Sequence, residues 1–311
     1  MRIAHRPWLT LRILAFSLII AASQAFSAAS PRDGMLVTPA WLAQHLDDPT
    51  LVLLHVGTKG DYAAAHIRGA RFVLLSDIAV SGASGLALEM PAADDLRSRL
   101  ERLGISDASR IVVYYGKDWV SPTTRVIFTL DYAGLGTRTS LLDGGMGEWV
   151  KSGHELTTDV PTARSGSLSA LKINPIVVDA AYVRDHLKSA NIAVVDGRAS
   201  VLYDGVETGG SMENPHRTGH IAGAHSVPFT AVTDDQLKLR SAAELEMIFR
   251  KAGVKPGDTV IGYCHIGQQA TAMLFAARSL GHPVLLYDGS FEDWSRHPDY
   301  PVENPSKKDH Q

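Results

Sequence analysis

The sequence predicts an α/β protein of two tandem domains, each a mostly parallel sheet flanked by helices on both faces. Three observations carry this expectation. Short apolar, β-branched runs without a period of two alternate with stretches of helical spacing, the pattern of strands covered on both faces. The same landmarks recur twice in the same order along the chain. Of the 311 residues, roughly 280 follow a leader-like N-terminus, a length that suits two domains.

Taken in order, the chain begins with Arg2, His5, Arg6 and Arg12 around the start of an uncharged apolar run, "ILAFSLIIAA" (Ile13 to Ala22). Small residues follow in "SQAFSAAS". A basic start, a short apolar stretch and a small-residue exit describe a secretory signal peptide. Residues 1–28 are therefore expected to direct export to the periplasm and to be cleaved. The run is short of the roughly 20 apolar residues that span a bilayer, so the mature chain is expected to have no membrane partner.

The first domain is expected over 33–157, with "WLAQHLDDPTLVLLHVG", "AHIRGARFVLL", "SRIVVYYG" and "LLDGGMGEWVKSG". A linker follows at 158–172, in a stretch rich in Thr, Ser, Pro and Ala. The second domain, 173–304, repeats the landmarks as "YVRDHLKSANIAVVDGR", "GHIAGAHSVPF", "DTVIGYCH" and "LLYDGSFEDWSRH", and residues 305–311 read as a polar tail. His66 pairs with His220, Gly69 with Gly223, Asp143 with Asp288, and Trp149 with Trp294. The two tryptophans read as core aromatics. In the second domain "SAAELEMIFRKAG" (Ser241 to Gly253) has a capping Ser, apolar spacing of three and four, and a Gly stop, so it predicts a helix. "QQATAMLFAARSLG" (Gln268 to Gly281) predicts another.

Composition narrows the function. A formal net charge of −3 gives no reason to expect nucleic acid as a partner. The 13 histidines form no His-x-His pair, and no Cys-x-x-Cys is present, so neither a metal nor another cofactor is expected. The chain holds one cysteine. It cannot form an internal disulfide, and a lone cysteine in an exported protein is either an inert buried residue or a reactive thiol.

The flanking residues decide for reactivity. Cys264 follows the strand-like "TVIGY" and precedes a helix-like run, and ligands of open α/β sheets bind at the carboxyl ends of strands. His265, Ile266, Gly267, Gln268 and Gln269 lead into the helix, with Gly267 letting the backbone curl so that several N–H groups form an anion nest. The positive end of the following helix adds to it. Both favour a thiolate, the form that acts as nucleophile. His265 is a further candidate to tune the thiol as an imidazolium. An inert cysteine is better placed inside the strand, at Val260 or Ile261.

The landmarks "VVDGR", "GHIAGA", "YCHIGQQA" and "YDGSFEDW" resemble those of the rhodanese superfamily in its tandem-domain sulfurtransferase form. The resemblance covers nearly all of the chain beyond the leader. It implies that Cys264 takes sulfane sulfur from a small donor, becomes a persulfide, and passes the outer sulfur to a thiophilic acceptor. It also implies an inactive first domain. That domain has Tyr115 or Gly116 where the second has the thiol, and His55 and Gly57 where the second has Asp196 and Arg198.

Around the loop, Arg217 and Arg198 are the candidates for binding an anionic donor, with pairing to Asp196 as the alternative role for Arg198. Asp196 and His220 read as structural residues near the site, since the inactive half keeps the counterpart of His220. The insert between Asp196 and His220 spans 24 positions against 11 between His55 and His66, and is expected to rim the pocket. A loop of six residues, with Ala270 and Thr271 following, lacks the arginine of related phosphatases. "CHIGQQ" matches neither the "CGSGVT" of mercaptopyruvate-type enzymes nor the "CRKGVT" of thiosulfate-type ones. Two amides able to donate to a sulfonate favour thiosulfate. A mercaptopyruvate sulfurtransferase, or a non-catalytic persulfide carrier serving an exported partner protein, is the alternative. The expected acceptor is cyanide or a thiol, with a sulfur-accepting protein as a further partner, and the expected state is a monomer.

Overall fold

The computed structural model describes residues 30–310 except 83–84, 119, 163 and 211–214. The leader expected at 1–28 lies outside the described residues. In the first half, β1 (Leu36–Val37), β2 (Leu51–Val56), β3 (Arg71–Val73), β4 (Arg110–Tyr115) and β5 (Thr139–Leu142) form one sheet in the order β1-β5-β4-β2-β3. The second half holds β6 (Val177–Val178), β7 (Ile192–Asp196), β8 (His220–Ile221), β9 (His225–Ser226), β10 (Thr259–Tyr263), β11 (Val284–Tyr287) and β12 (Val302–Glu303). Its main sheet runs β6-β11-β10-β7-β9, the same order, and every pair in both sheets is parallel. The remaining strands, β8 and β12, pair with each other antiparallel.

The long strands β2, β4, β7 and β10 are mostly apolar because both faces are covered. Val52, Leu54 and Val56 of β2 belong to a core shared with the second half, while Leu53 belongs to a separate outer cluster. In β10, Val260 lies in the shared core and Ile261 and Tyr263 in an outer one. Alternation continues past the strand end, so Cys264 joins the shared core and faces the first domain. Trp149 and Trp294 are buried in the two outer clusters.

Register establishes the internal repeat residue by residue. His55 pairs with Tyr114 across β2 and β4, and Asp196 with Tyr263 across β7 and β10. The Tyr114 hydroxyl accepts the Ile67 N–H at 3.0 Å, and the Tyr263 hydroxyl the Ile221 N–H at 3.1 Å. Of the two residues that could replace the thiol, Tyr115 therefore stands at the Cys264 position. His66 stacks on Tyr62 at 4.0 Å with Nδ1 on the Tyr62 carbonyl. His220 repeats this on Tyr203 at 3.7 Å. Both histidines thus brace the segment after the second strand of their sheet.

Two helices join the halves. Val120–Tyr132 and Ala270–Ser279, each following the central strand of its own sheet, pack against each other. Nearly every residue of both is buried; Ala270–Ser279 is apolar on most sides, while Val120–Tyr132 also buries Ser121, Thr123, Thr124, Arg125, Thr129 and Asp131. Thr124 and Thr271 share a hydroxyl hydrogen bond at 3.0 Å, and Arg278 pairs with Asp131. Helix Ala242–Lys251 starts where the sequence places it, with Ser241 and Glu244 forming a capping box. Residues Pro305–His310 form a 3-10 helix, held in part by the Ser306 hydroxyl on the Gly205 carbonyl at 2.9 Å.

Candidate active site

Strand β10 ends at Tyr263 and the next helix begins at Ala270, which leaves Cys264 to Gln269 as the loop. Its sharp curl needs Gly267, whose φ is +76°. A side chain there would put Cβ 2.7 Å from the Asp288 carbonyl oxygen and 3.1 Å from Arg125 Nη1. Only glycine fits that backbone and that space.

The turn after β11 holds the loop from outside. The Cys264 N–H donates to Ser290 Oγ at 3.1 Å, and Ser290 Oγ donates to the Tyr287 carbonyl at 2.9 Å. The Cys264 carbonyl accepts the Phe291 N–H at 3.0 Å and the His265 carbonyl the Glu292 N–H at 3.0 Å. Ser290 makes its bonds from φ +53°, a left-handed conformation costly for a residue with a Cβ. Its counterpart in the half without the thiol is Gly145, at φ +55°. Among the described residues, the backbone N–H groups of His265 through Gln269 have no protein acceptor. Unpaired N–H groups on one tight turn, ahead of a helix N-terminus, form a receptor for an anion.

The thiol is free and wholly buried. Nearby, Arg198 and Asp196 form a buried pair: Nε lies 3.0 Å from both carboxylate oxygens, and Nη2 2.6 Å from Oδ2. Nη2 also donates to the Gly219 carbonyl at 2.8 Å, and the guanidinium sits 4.1 Å from the Phe291 ring centroid. Burial pulls the Arg198 pKa down, but the field and hydrogen bonds of Asp196, with Tyr263 and Cys264, hold it above its ordinary value. Arg198 is thus fixed by Asp196 and lends the site a field.

The imidazolium expected at His265 is corrected. Burial first, then the positive field of Arg198 and the neighbouring His216, lower its pKa to about 4. The ring is neutral near pH 7. It supplies no cation to the thiol.

Arg217 donates through Nη1 to the His297 and Tyr300 carbonyls, at 3.1 and 2.7 Å. That bridge anchors the C-terminal loop, and any donor contact falls to the rest of its guanidinium. The Gln268 amide donates to Ser121 Oγ of the first domain at 3.2 Å, while Gln269 Oε1 is buried without a partner among the described residues. Ile266 lines a cavity of about 540 Å³ beside the loop, with His265, His216, Thr208, Gly209 and Glu292. The insert after Asp196 does rim this cavity. Another cavity, of about 170 Å³, lies near Phe249, Gly257 and His282, toward the amino ends of the strands, and holds no nucleophile. Among the described residues no cluster of three or more His, Cys, Asp or Glu side chains could hold a metal, and no helix is long and apolar enough to cross a membrane.

Three residues at the site escaped the sequence reading. His216, buried with Nδ1 unpartnered and its ring 5.6 Å from that of His265, lies in the insert without a motif around it. Ser290 had a signal: "DGSFEDW" against "DGGMGEW" replaces a glycine by a hydroxyl in the copy with the thiol. Arg125 had none, because it belongs to the copy without a nucleophile.

Comparison with known proteins agrees with this geometry. The profile of the Rhodanese-like domain matches residues 38–152 and again 179–297. A thiosulfate sulfurtransferase of Pseudomonas aeruginosa is 30% identical over 274 residues, covering 86% of this chain and 97% of that one. A sulfur carrier protein of Thermus thermophilus is 28% identical over 272 residues, covering 84% and 93%. Among solved structures, a 3-mercaptopyruvate sulfotransferase of Escherichia coli superposes with a TM-score of 0.71 at 26% identity, covering 82% and 98%.

Proposed function

The chain belongs to the family of rhodanese-like domains, and on that premise we propose that it is a sulfurtransferase acting through a Cys264 persulfide, with thiosulfate as donor. One observation carries the reading: the only thiol begins a loop whose following N–H groups have no acceptor among the described residues. In the first half-reaction the Cys264 thiolate attacks the outer sulfur of thiosulfate. A new S–S bond forms, the donor's S–S bond breaks, and sulfite leaves with the electron pair. The enzyme is left as a persulfide anion, and the loop N–H groups stabilise that charge where it develops. In the second half-reaction cyanide or a thiolate attacks the outer sulfur, and Cys264 leaves as thiolate. No redox partner is required, and the charge balances in each step.

The donor follows from the loop's chemistry. Residues 265–269 hold no Ser or Thr to assist a carbonyl-bearing donor, and two amides able to donate to sulfonate oxygens. The relatives named thiosulfate sulfurtransferases support the same choice. Steady-state assays with cyanide test it. Thiocyanate formation is expected with thiosulfate and is lost in Cys264→Ser. Turnover with mercaptopyruvate alone would move the donor, and loading without turnover would make the protein a carrier of persulfide sulfur. Export to the periplasm belongs to the same proposal, supported by the basic and apolar pattern of residues 1–28. Fractionation of cells making the tagged chain tests it, and a cytoplasmic, uncleaved product would contradict it.

A further inference from the structure

Arg125 belongs to the helix Val120–Tyr132 of the first domain, and it is wholly buried. Its Nη1 donates to the Gly267 carbonyl at 2.9 Å and to Asp288 Oδ1 at 2.7 Å, and Nη2 donates to the Leu88 carbonyl. Asp288 Oδ2 accepts the Met90 N–H at 2.8 Å. A guanidinium from the copy without a thiol thus reaches into the loop of the copy that has one. Burying such a group is costly unless it is fully paired, yet among the described residues Arg125 Nε has no partner. An interface selected only for stability gains more from an apolar side chain.

The two contacts on the second domain are not arbitrary. The Gly267 carbonyl and the Gln268 N–H belong to one trans peptide and point in opposite directions. Holding the oxygen on Arg125 fixes the Gln268 N–H facing away from Arg125, and Gly267 is the loop residue whose backbone turns most freely. Asp288 opens the turn that ends at Ser290, which holds the Cys264 N–H. Arg125 therefore grips the far side of the loop and the base of the clamp on its near side.

We propose that Arg125 is a positioning residue for the Cys264 loop, through which the first domain sets the anion nest that sulfur transfer uses. The proposal rests on the reading of Cys264 as the sulfur-carrying nucleophile. It gives the copy without a thiol a task in sulfur transfer.

The test is the rate of alkylation of Cys264 by iodoacetamide as a function of pH, in the full chain. Arg125→Gln removes the charge and the guanidinium, and Arg125→Lys keeps the charge but ends one bond short of Nη1, the atom that donates to both Gly267 and Asp288. Both are expected to raise the pH midpoint by about one unit and to slow alkylation near neutrality about tenfold, the size of one lost hydrogen bond to a charged group. Asp131→Asn breaks the contact with Arg278 across the same interface, and is expected to keep the wild-type profile. A wild-type profile in both Arg125 variants would overturn the proposal, as would an equal shift in Asp131→Asn. Where circular dichroism finds Arg125→Gln unfolded, Arg125→Lys decides by the same criterion. Loading of wild type with sulfur from thiosulfate is measured separately, so failure of the sulfurtransferase reading is distinguishable from failure of the positioning role.

Discussion

Ser290 is held at φ +53° with its hydroxyl between the Cys264 N–H and the Tyr287 carbonyl. Replacing it separates strain from bonding. Ser290→Ala keeps the strain and leaves a buried N–H unpaired, an expected loss of about 1–3 kcal/mol. Ser290→Gly relieves the strain and should recover about 1 kcal/mol of that, while both variants slow sulfur transfer. Chemical denaturation read beside thiocyanate formation checks this; a fully active Ser290→Gly would remove the serine from the site.

Histidines supply the pH dependence at this scale. His55 is buried, its Nδ1 on the Tyr114 hydroxyl at 2.9 Å and its Nε2 unpartnered. Burial, then the field of His66, lowers its pKa to about 4. Between about 4 and the unfolded value of about 6.5 only the unfolded chain binds that proton, so acidification through this window destabilises the fold. The stability difference between wild type and His55→Gln should therefore change by about 3 kcal/mol from pH 7 to pH 4, at about 1.4 kcal/mol per unit. Unfolding curves at a series of pH values measure it, and parallel curves would contradict it. Neutral His265 predicts, by the same reasoning, no fall in persulfide formation as pH rises from 6 to 7. Cys264 was legible because its sequence neighbours explain its chemistry. Arg125 was not, because its partners Gly267 and Asp288 lie 142 and 163 positions away.

At the scale of elements, the loop depends on one left-handed glycine. Gly267→Ala meets both an unfavourable φ and the Asp288 carbonyl. An expected stability loss of about 2 kcal/mol should accompany a larger, at least tenfold, drop in turnover; unchanged turnover would mean the nest is not used. The elements differ in how far the sequence announces them. Helix Ala242–Lys251 carries its own cap and period, and β2, β4, β7 and β10 are long enough to show apolar runs. Strands β1, β6, β8, β9 and β12 have two residues each. Such strands have no periodicity to read, since pairing with distant partners creates them.

At the scale of the whole molecule, the repeat made two domains legible, but not the way they meet. One apolar cluster runs from Val52 and Leu54 through Val126 and Phe128 to Met273 and Leu286, so the halves share a core. The sequence marks the helix after Cys264 as apolar and gives no hint that a helix of the first domain covers it. A shared core predicts one cooperative transition for the full chain by calorimetry, with calorimetric and van't Hoff enthalpies equal. Two separated transitions would contradict it. The same sharing places Arg125 against the loop and turns the Cys264 side of β10 toward the first domain.

The central claim is that Cys264 carries a sulfane sulfur in a backbone anion nest. The most direct test is the intact mass of the protein after incubation with thiosulfate and removal of the excess. A gain of one sulfur atom per chain, absent in Cys264→Ser and released by cyanide as thiocyanate, is the expected result. A folded wild-type protein that gains no sulfur from thiosulfate or from mercaptopyruvate would contradict the account.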